Sequence, residues 1–115
     1  MKSREYDSLV KMIEYINKSI NYTKGYTFED FVEDLKTQDA TIFNISQIGE
    51  LIKNISEETM NKYNDVEWLV IKGLRNRIIH DYSGINLNTI WYIINNDLED
   101  LKMKLQKIVD ENQNN

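Results

Sequence analysis

The chain has no cysteine and no proline, four glycines in 115 residues, and a single histidine. Without thiols there can be no disulfide, no thiolate metal site and no cysteine nucleophile. One histidine would leave a zinc site dependent on carboxylates for nearly all its ligands, an uncommon donor set. Long apolar runs are missing too, and no stretch approaches the ~20 residues of a membrane-spanning helix. The opening Met1-Lys2-Ser3-Arg4-Glu5-Tyr6-Asp7 breaks into charge at once, so no signal peptide is expected. These absences leave one cytoplasmic domain over residues 1–115, with a tail that frays from about 111 and no call for a cofactor.

Positive charge is also in short supply. The net charge of −5 argues against a general nucleic-acid coat, but its distribution is uneven. Residues 29 to 67 hold ten acids against Lys36, Lys53 and Lys62, a local net of −7, so the remainder carries +2. Lys72, Arg75 and Arg77 crowd the histidine, His80. A small basic site on an acidic body can hold one stretch of phosphate chain, though it could not coat a duplex. Most of the acids read as solvated surface.

What is abundant is apolar residues at spacings of three and four, the helical period. A first helix carries Tyr6, Val10, Ile13, Ile16 and Ile20 and ends near Gly25. Thr27 reads as the N-cap of a short helix with Phe28, Phe31 and Leu35. A third helix is expected from about Asp39 to Ile55, with Gly49 inside it, where a neighbouring helix could come close. Ser56 opens a turn or short helix. Asp65 would cap a fourth helix that continues to Tyr82, ended by Ser83-Gly84. The last helix runs from about Asn88 to Val109. The architecture expected is all-α: an antiparallel bundle of four main helices plus short pieces. Its core should include Ile13, Ile16, Leu51, Leu74, Ile78, Leu98 and Leu101.

The chemistry concentrates in Arg75-Asn76-Arg77-Ile78-Ile79-His80-Asp81-Tyr82, an R-x-x-x-x-H-x-Y pattern. Nothing else in the chain offers an imidazole or a thiol. An imidazole near its ordinary pKa can give and take protons at neutral pH, and a guanidinium can hold phosphate oxygens. On a straight fourth helix Val70, Ile71, Leu74 and Ile78 form the core face, Asn76 and His80 share a face, and Arg75 and His80 point ~140° apart. Trp68, Leu69 and Ile79 then face outward, which predicts a two-fold dimer contact bringing Arg75 of one chain beside His80 of the other. A lone histidine near a helix C-terminus can also simply complement the helix dipole, and Tyr82 can simply pack.

The run from Gly73 to Tyr82, preceded by Val66-Glu67-Trp68 and followed by Gly84-Ile85-Asn86-Leu87, Ile90-Trp91, Asp97-Leu98 and Leu101, resembles the HepT-like proteins of the HEPN superfamily. Asp39-Ala40 and Ile48-Gly49-Glu50 extend the resemblance upstream, to roughly residues 5 to 109. Asp81 departs from the pattern by putting an acid inside the H-x-Y triplet. The resemblance implies a HEPN-like fold and a homodimeric, metal-independent endoribonuclease toxin of a type II or type VII-like toxin–antitoxin pair. It implies His80 as general acid or base, Arg75 as transition-state stabiliser and Asn76 in support, with Lys72 and Arg77 on the RNA backbone. The implied antitoxin is a nucleotidyltransferase of the MNT type that adenylylates Tyr82. A non-catalytic helical subunit that docks substrate for such a nucleotidyltransferase is the alternative.

Overall fold

The computed structural model describes residues 1–80 and 84–113, with His80 described through its backbone alone. The described chain is overwhelmingly helical. Helix α1 spans Ser3–Tyr22, α2 Phe28–Glu33 and α3 Leu35–Leu51, which tightens into a 3-10 turn at Ile52–Asn54. Helices α4 (Glu57–Lys62), α5 (Trp68–Lys72) and α6 (Leu74–Ile78) follow. A minimal antiparallel bridge, β1 (Ile79–His80) with β2 (Gly84–Ile85), leads to α7 (Leu87–Tyr92), a π-helical turn (Ile93–Asp97) and α8 (Leu98–Glu111). Among the described residues no helix is long and apolar enough to cross a membrane.

Local sequence explains most of the boundaries. Gly25 takes φ +79 after α1, a conformation that costs a glycine little. The Thr27 hydroxyl accepts from Asp30 N, and the Asp30 carboxylate accepts in turn from Thr27 N, a reciprocal cap on α2. The third helix starts earlier than its apolar pattern suggests. Asp34 caps it by accepting from Thr37 N, and the exposed Leu35 joins its first turn. Tyr26 donates to Asp34 at 2.6 Å, and this bond, with those from Thr37, holds the Asp34 carboxyl down at about 2. Ser56 caps α4.

Helix α1 lies along α3 and α8, with Leu9, Met12, Ile13 and Ile16 buried between them. The buried face is thus centred one position away from the expected stripe, and Tyr6, Val10 and Ile20 are half-buried at its edges. Ile45 and Ile48 of α3 meet Ile71, Leu74 and Ile78 of α5 and α6 in the same core, joined by Ile90, Leu98, Leu105 and Ile108. Leu51 and Leu101, expected inside, sit half-buried at the margin, and Phe43 is exposed. Helix α8 reaches Glu111, two residues past the expected end at Val109. Asn112 is buried, donating to Ile108 O and to the Tyr63 hydroxyl.

The last helix is not uniform. At Ile93–Asp97 the ladder widens, and Leu98 N–H reaches back to Ile93 O. Asn95 and Asn96 supplement it there, their side-chain amides donating to the Trp91 and Tyr92 carbonyls at 2.8 and 3.0 Å.

A buried carboxylate ties the start of the chain to its middle. Glu5, 5% exposed, accepts from Ser56 N at 2.7 Å and Thr59 Oγ1 at 2.8 Å, and from Lys2 N at 3.4 Å. Burial by itself raises the Glu5 pKa, but the hydrogen bonds from Ser56 and Thr59 outweigh it and bring the group from 4.5 down to about 2. A depressed carboxyl pKa stabilises the fold above its unfolded value, and that contribution drains away as the pH falls from 4.5 toward 2. Glu5→Gln should therefore destabilise the protein at pH 7 by up to about 3 kcal/mol and flatten this acid limb. Urea denaturation at stepped pH measures both, and an unchanged acid limb would contradict the assignment.

Candidate active site

The motif does not lie on one continuous helix. The chain enters it from Tyr63–Val66, where the Trp68 indole donates to Tyr63 O at 3.0 Å. That turn buries Trp68, which was expected to face outward, and leaves Val70, expected in the core, 45% exposed. Glu67, and not Asp65, holds the N-cap position of α5, without a side-chain cap bond. At Gly73 the helix tightens, the Gly73 N–H reaching both Leu69 O and Val70 O, and α6 resumes with Arg77 N on Gly73 O.

The approach of α3 fixes this pair of short helices. A Cβ on Gly49 would stand 3.2 Å from Ile71 O, so any larger residue there would require the α5 backbone to give by a few tenths of an ångström. Ile71, Leu74 and Ile78 are buried against α3, and the intervening side chains have nowhere to go but outward. Lys72, Arg75, Asn76 and Arg77 are all exposed. At about 100° per residue Arg75 and Arg77 fall on opposite flanks of α6, with Asn76 between them. Their surroundings differ. Arg77 Nη1 lies 3.4 Å from Asp97 Oδ2, on the π-helical turn. No ion pair ties Arg75 to another described residue.

After Ile78 the backbone becomes extended. Ile79 (φ −108, ψ 116) stands opposite Ile85 and His80 opposite Gly84, and Asn86 N donates to Ile78 O at 2.9 Å to close the base of the hairpin. Gly84 takes φ +90. The helical face that Asn76 and His80 were expected to share does not exist, because the helix ends two residues before the histidine. The ~140° angle between Arg75 and His80 lapses for the same reason. The structure therefore groups Arg75, Asn76 and Arg77 on the outward side of α6, with Lys72 at the end of α5 just before it, and begins the His80 strand directly after Ile78. The His80 side chain, Asp81 and Tyr82 lie outside the described residues.

Beside the motif runs a groove of about 420 Å³ between α5–α6 and the α7–α8 helix, lined among others by Leu74, Arg77, Tyr92, Asn96, Asp97 and Lys104. Sequence reasoning missed Tyr92, Asn96 and Asp97. The available signal was the Asn95-Asn96 doublet inside an otherwise regular apolar stripe. Among the described residues no group of three or more His, Asp or Glu side chains could hold a metal.

An all-α domain whose basic, polar motif helix runs straight into a short histidine strand is the class of protein defined here. Comparison with known proteins narrows it. The model of the family described as Ribonuclease HepT-like matches residues 12–108. The chain is similar to "Putative RNase MJ0127" of Methanocaldococcus jannaschii, 36% identical over 110 residues covering 92% of this chain and 91% of that one. It is also similar to "Putative RNase TTE0752" of Caldanaerobacter subterraneus subsp. tengcongensis, 36% identical over 90 residues, 78% of this chain and 80% of the other. "Probable ribonuclease HepT" of Thermococcus cleftensis is 32% identical over 108 residues, 94% of this chain and 98% of that protein. No solved structure matches. The chain belongs to the HepT-like ribonuclease family.

The contact at Gly49 carries a direct expectation. Gly49→Val should push α3 from α5 and destabilise the fold by about 1–3 kcal/mol, the usual scale of overpacking. An unchanged denaturation midpoint would show that the close approach is not required.

Proposed function

We propose that this protein is a metal-independent endoribonuclease that acts as the toxin of a toxin–antitoxin pair. The observation that carries the reading is the contrast between two neighbouring arginines: Arg77 is paired with Asp97, whereas Arg75 is exposed and without an ion pair among the described residues. Arg75 is thus a free guanidinium at the head of the segment that leads to His80, in a chain whose family is named for ribonucleases.

RNA supplies its own nucleophile. The 2′-oxygen attacks the adjacent phosphorus, the bond to the 5′-oxygen breaks, and the 2′-proton leaves as a proton reaches the departing oxygen. His80 serves this transfer as general base or acid. Arg75 stabilises the extra negative charge on the phosphorane-like transition state. Asn76 orients a phosphate oxygen or the imidazole, and Lys72 helps hold the backbone. The working unit is a two-fold dimer. The outward face expected from sequence loses the buried Trp68 and the half-buried Ile79, which packs against the core, and keeps Leu69, 81% exposed, with Val70 beside it. Leu69, Lys72 and Asn76 follow one another at helical spacing, so a contact there would bring the two motifs together. Control comes from a nucleotidyltransferase partner that attaches AMP to Tyr82, placing a phosphate anion and a bulky nucleoside where RNA must enter.

Cleavage of single-stranded RNA should persist with chelator present and yield 2′,3′-cyclic phosphate ends, and a 2′-deoxy nucleotide at the cut should resist. His80→Ala should lower the rate about 10²–10⁴-fold. Arg75→Ala should do likewise, without rescue by Arg75→Lys, because an ammonium cannot reproduce the guanidinium fork. Wild-type rates in His80→Ala, or a requirement for magnesium, would overturn the mechanism. An inactive chain that still binds the nucleotidyltransferase would be the docking subunit instead.

Co-expression with a nucleotidyltransferase encoded beside this chain should add the mass of AMP, and Tyr82→Phe should abolish the addition. Full neutralisation of an unmodified toxin would mean that control is by binding alone.

A further inference from the structure

The groove beside α6 has the chemistry of a site for a flat, uncharged ligand. Both of its cations are paired, Arg77 with Asp97 and Lys104 with Asp100 at 3.1 Å, which leaves Glu67 as the charged lining residue outside these pairs and makes the groove unsuited to a phosphate. Its floor is apolar, with Leu74, Ile93 and Leu98 buried beneath it. On its wall stands Tyr92, 55% exposed, a large ring left in water directly beside the motif helix. Next to it is Asn96, whose Nδ2 already donates to Tyr92 O at 3.0 Å, so its amide oxygen is the atom left to accept from a ligand.

The π-helical turn builds this arrangement. On a continuous α-helix Ile93 would lie one turn above Asp97, and the carboxylate would share the buried face. The wider turn sets Leu98 below Ile93, both fully buried, and moves Asp97 out to the groove edge, where it meets Arg77. Such turns are frequent at functional sites, and this one adjoins the motif.

We propose that the groove is a subsite for one unpaired RNA base, stacked on Tyr92 and held at its edge by the Asn96 amide oxygen. The proposal rests on the ribonuclease reading for its class of ligand. Arg75 and Arg77 lie on opposite flanks of α6, about one helix width (~10 Å) apart, so a strand whose phosphate rests on Arg75 can cross Asn76 and place a neighbouring base in the groove. The base carries no charge and needs none in the site, while the phosphates remain with Arg75 and Lys72. Acceptors on the wall select bases with an exocyclic amino donor, and stacking selects the larger ring. A purine is therefore the expected occupant, and uracil the poorest.

The test is fluorescence anisotropy with labelled single-stranded 12-mer RNAs on the full chain carrying His80→Ala, which slows their cleavage. Tyr92→Ala should weaken binding of oligo(A) about tenfold, the scale of one lost stacked base. Tyr92→Phe, which keeps the ring, should bind like its parent. Asn96→Ala should narrow the preference for oligo(A) over oligo(U). In the chain with His80 intact, Tyr92→Ala should raise KM and leave kcat unchanged. Circular dichroism verifies that these surface variants fold. Unaltered binding in Tyr92→Ala, a lower kcat at constant KM, or no RNA binding by the parent would overturn the subsite. Cleavage that proceeds while Tyr92→Ala binds normally removes the subsite alone. A Tyr92-dependent binder that never cleaves removes the ribonuclease reading and leaves the subsite standing.

Discussion

Everything at the motif depends on the burial of one side of α6. Five residues cannot hold a helix in water, where nucleation costs more than one turn of hydrogen bonds returns. Leu74 and Ile78 hold this one, inserted between α3 and the last helix, and Ile71 does the same for α5. With those three side chains fixed inward, Lys72, Arg75, Asn76 and Arg77 must face water. Gly49 sets how close α3 can stand, and so how deep the anchors reach.

The same anchoring sorts the charges. Two arginines two residues apart look equivalent in a sequence, and both appear suited to a phosphate chain. Arg77 turns toward the π-helical turn and meets Asp97, whereas Arg75 turns to the other flank and meets no described carboxylate. Both groups at the Arg77–Asp97 pair are well exposed, so solvent screens it and its value to stability is small. Its effect is local: it removes one positive charge from the exposed side of the motif helix. An acidic protein can then present, beside the strand that carries its only histidine, a guanidinium with no ion pair among the described residues.

Apolar periodicity determined the helices of α1, α3 and α8 and most of the core, because a three-four stripe has one way to be buried. Thr27, Ser56 and Gly25 determined several boundaries, since a cap or a positive φ is a local matter. The motif and its Gly-Glu companion were legible enough to place the chain in its family. Tertiary structure alone decided the rest. It turned Trp68 inward and Val70 outward, because the indole found a carbonyl at Tyr63. It ended the helix at Ile78, because the hairpin from Gly84 offers Ile78 O a partner in Asn86. It opened the π-helical turn, because burying Ile93 and Leu98 together cannot be done at the α-helical pitch without drawing Asp97 inward. Each of these outcomes depends on a partner outside the helix concerned or on competition for the same core volume, and a periodic pattern read along one segment contains neither.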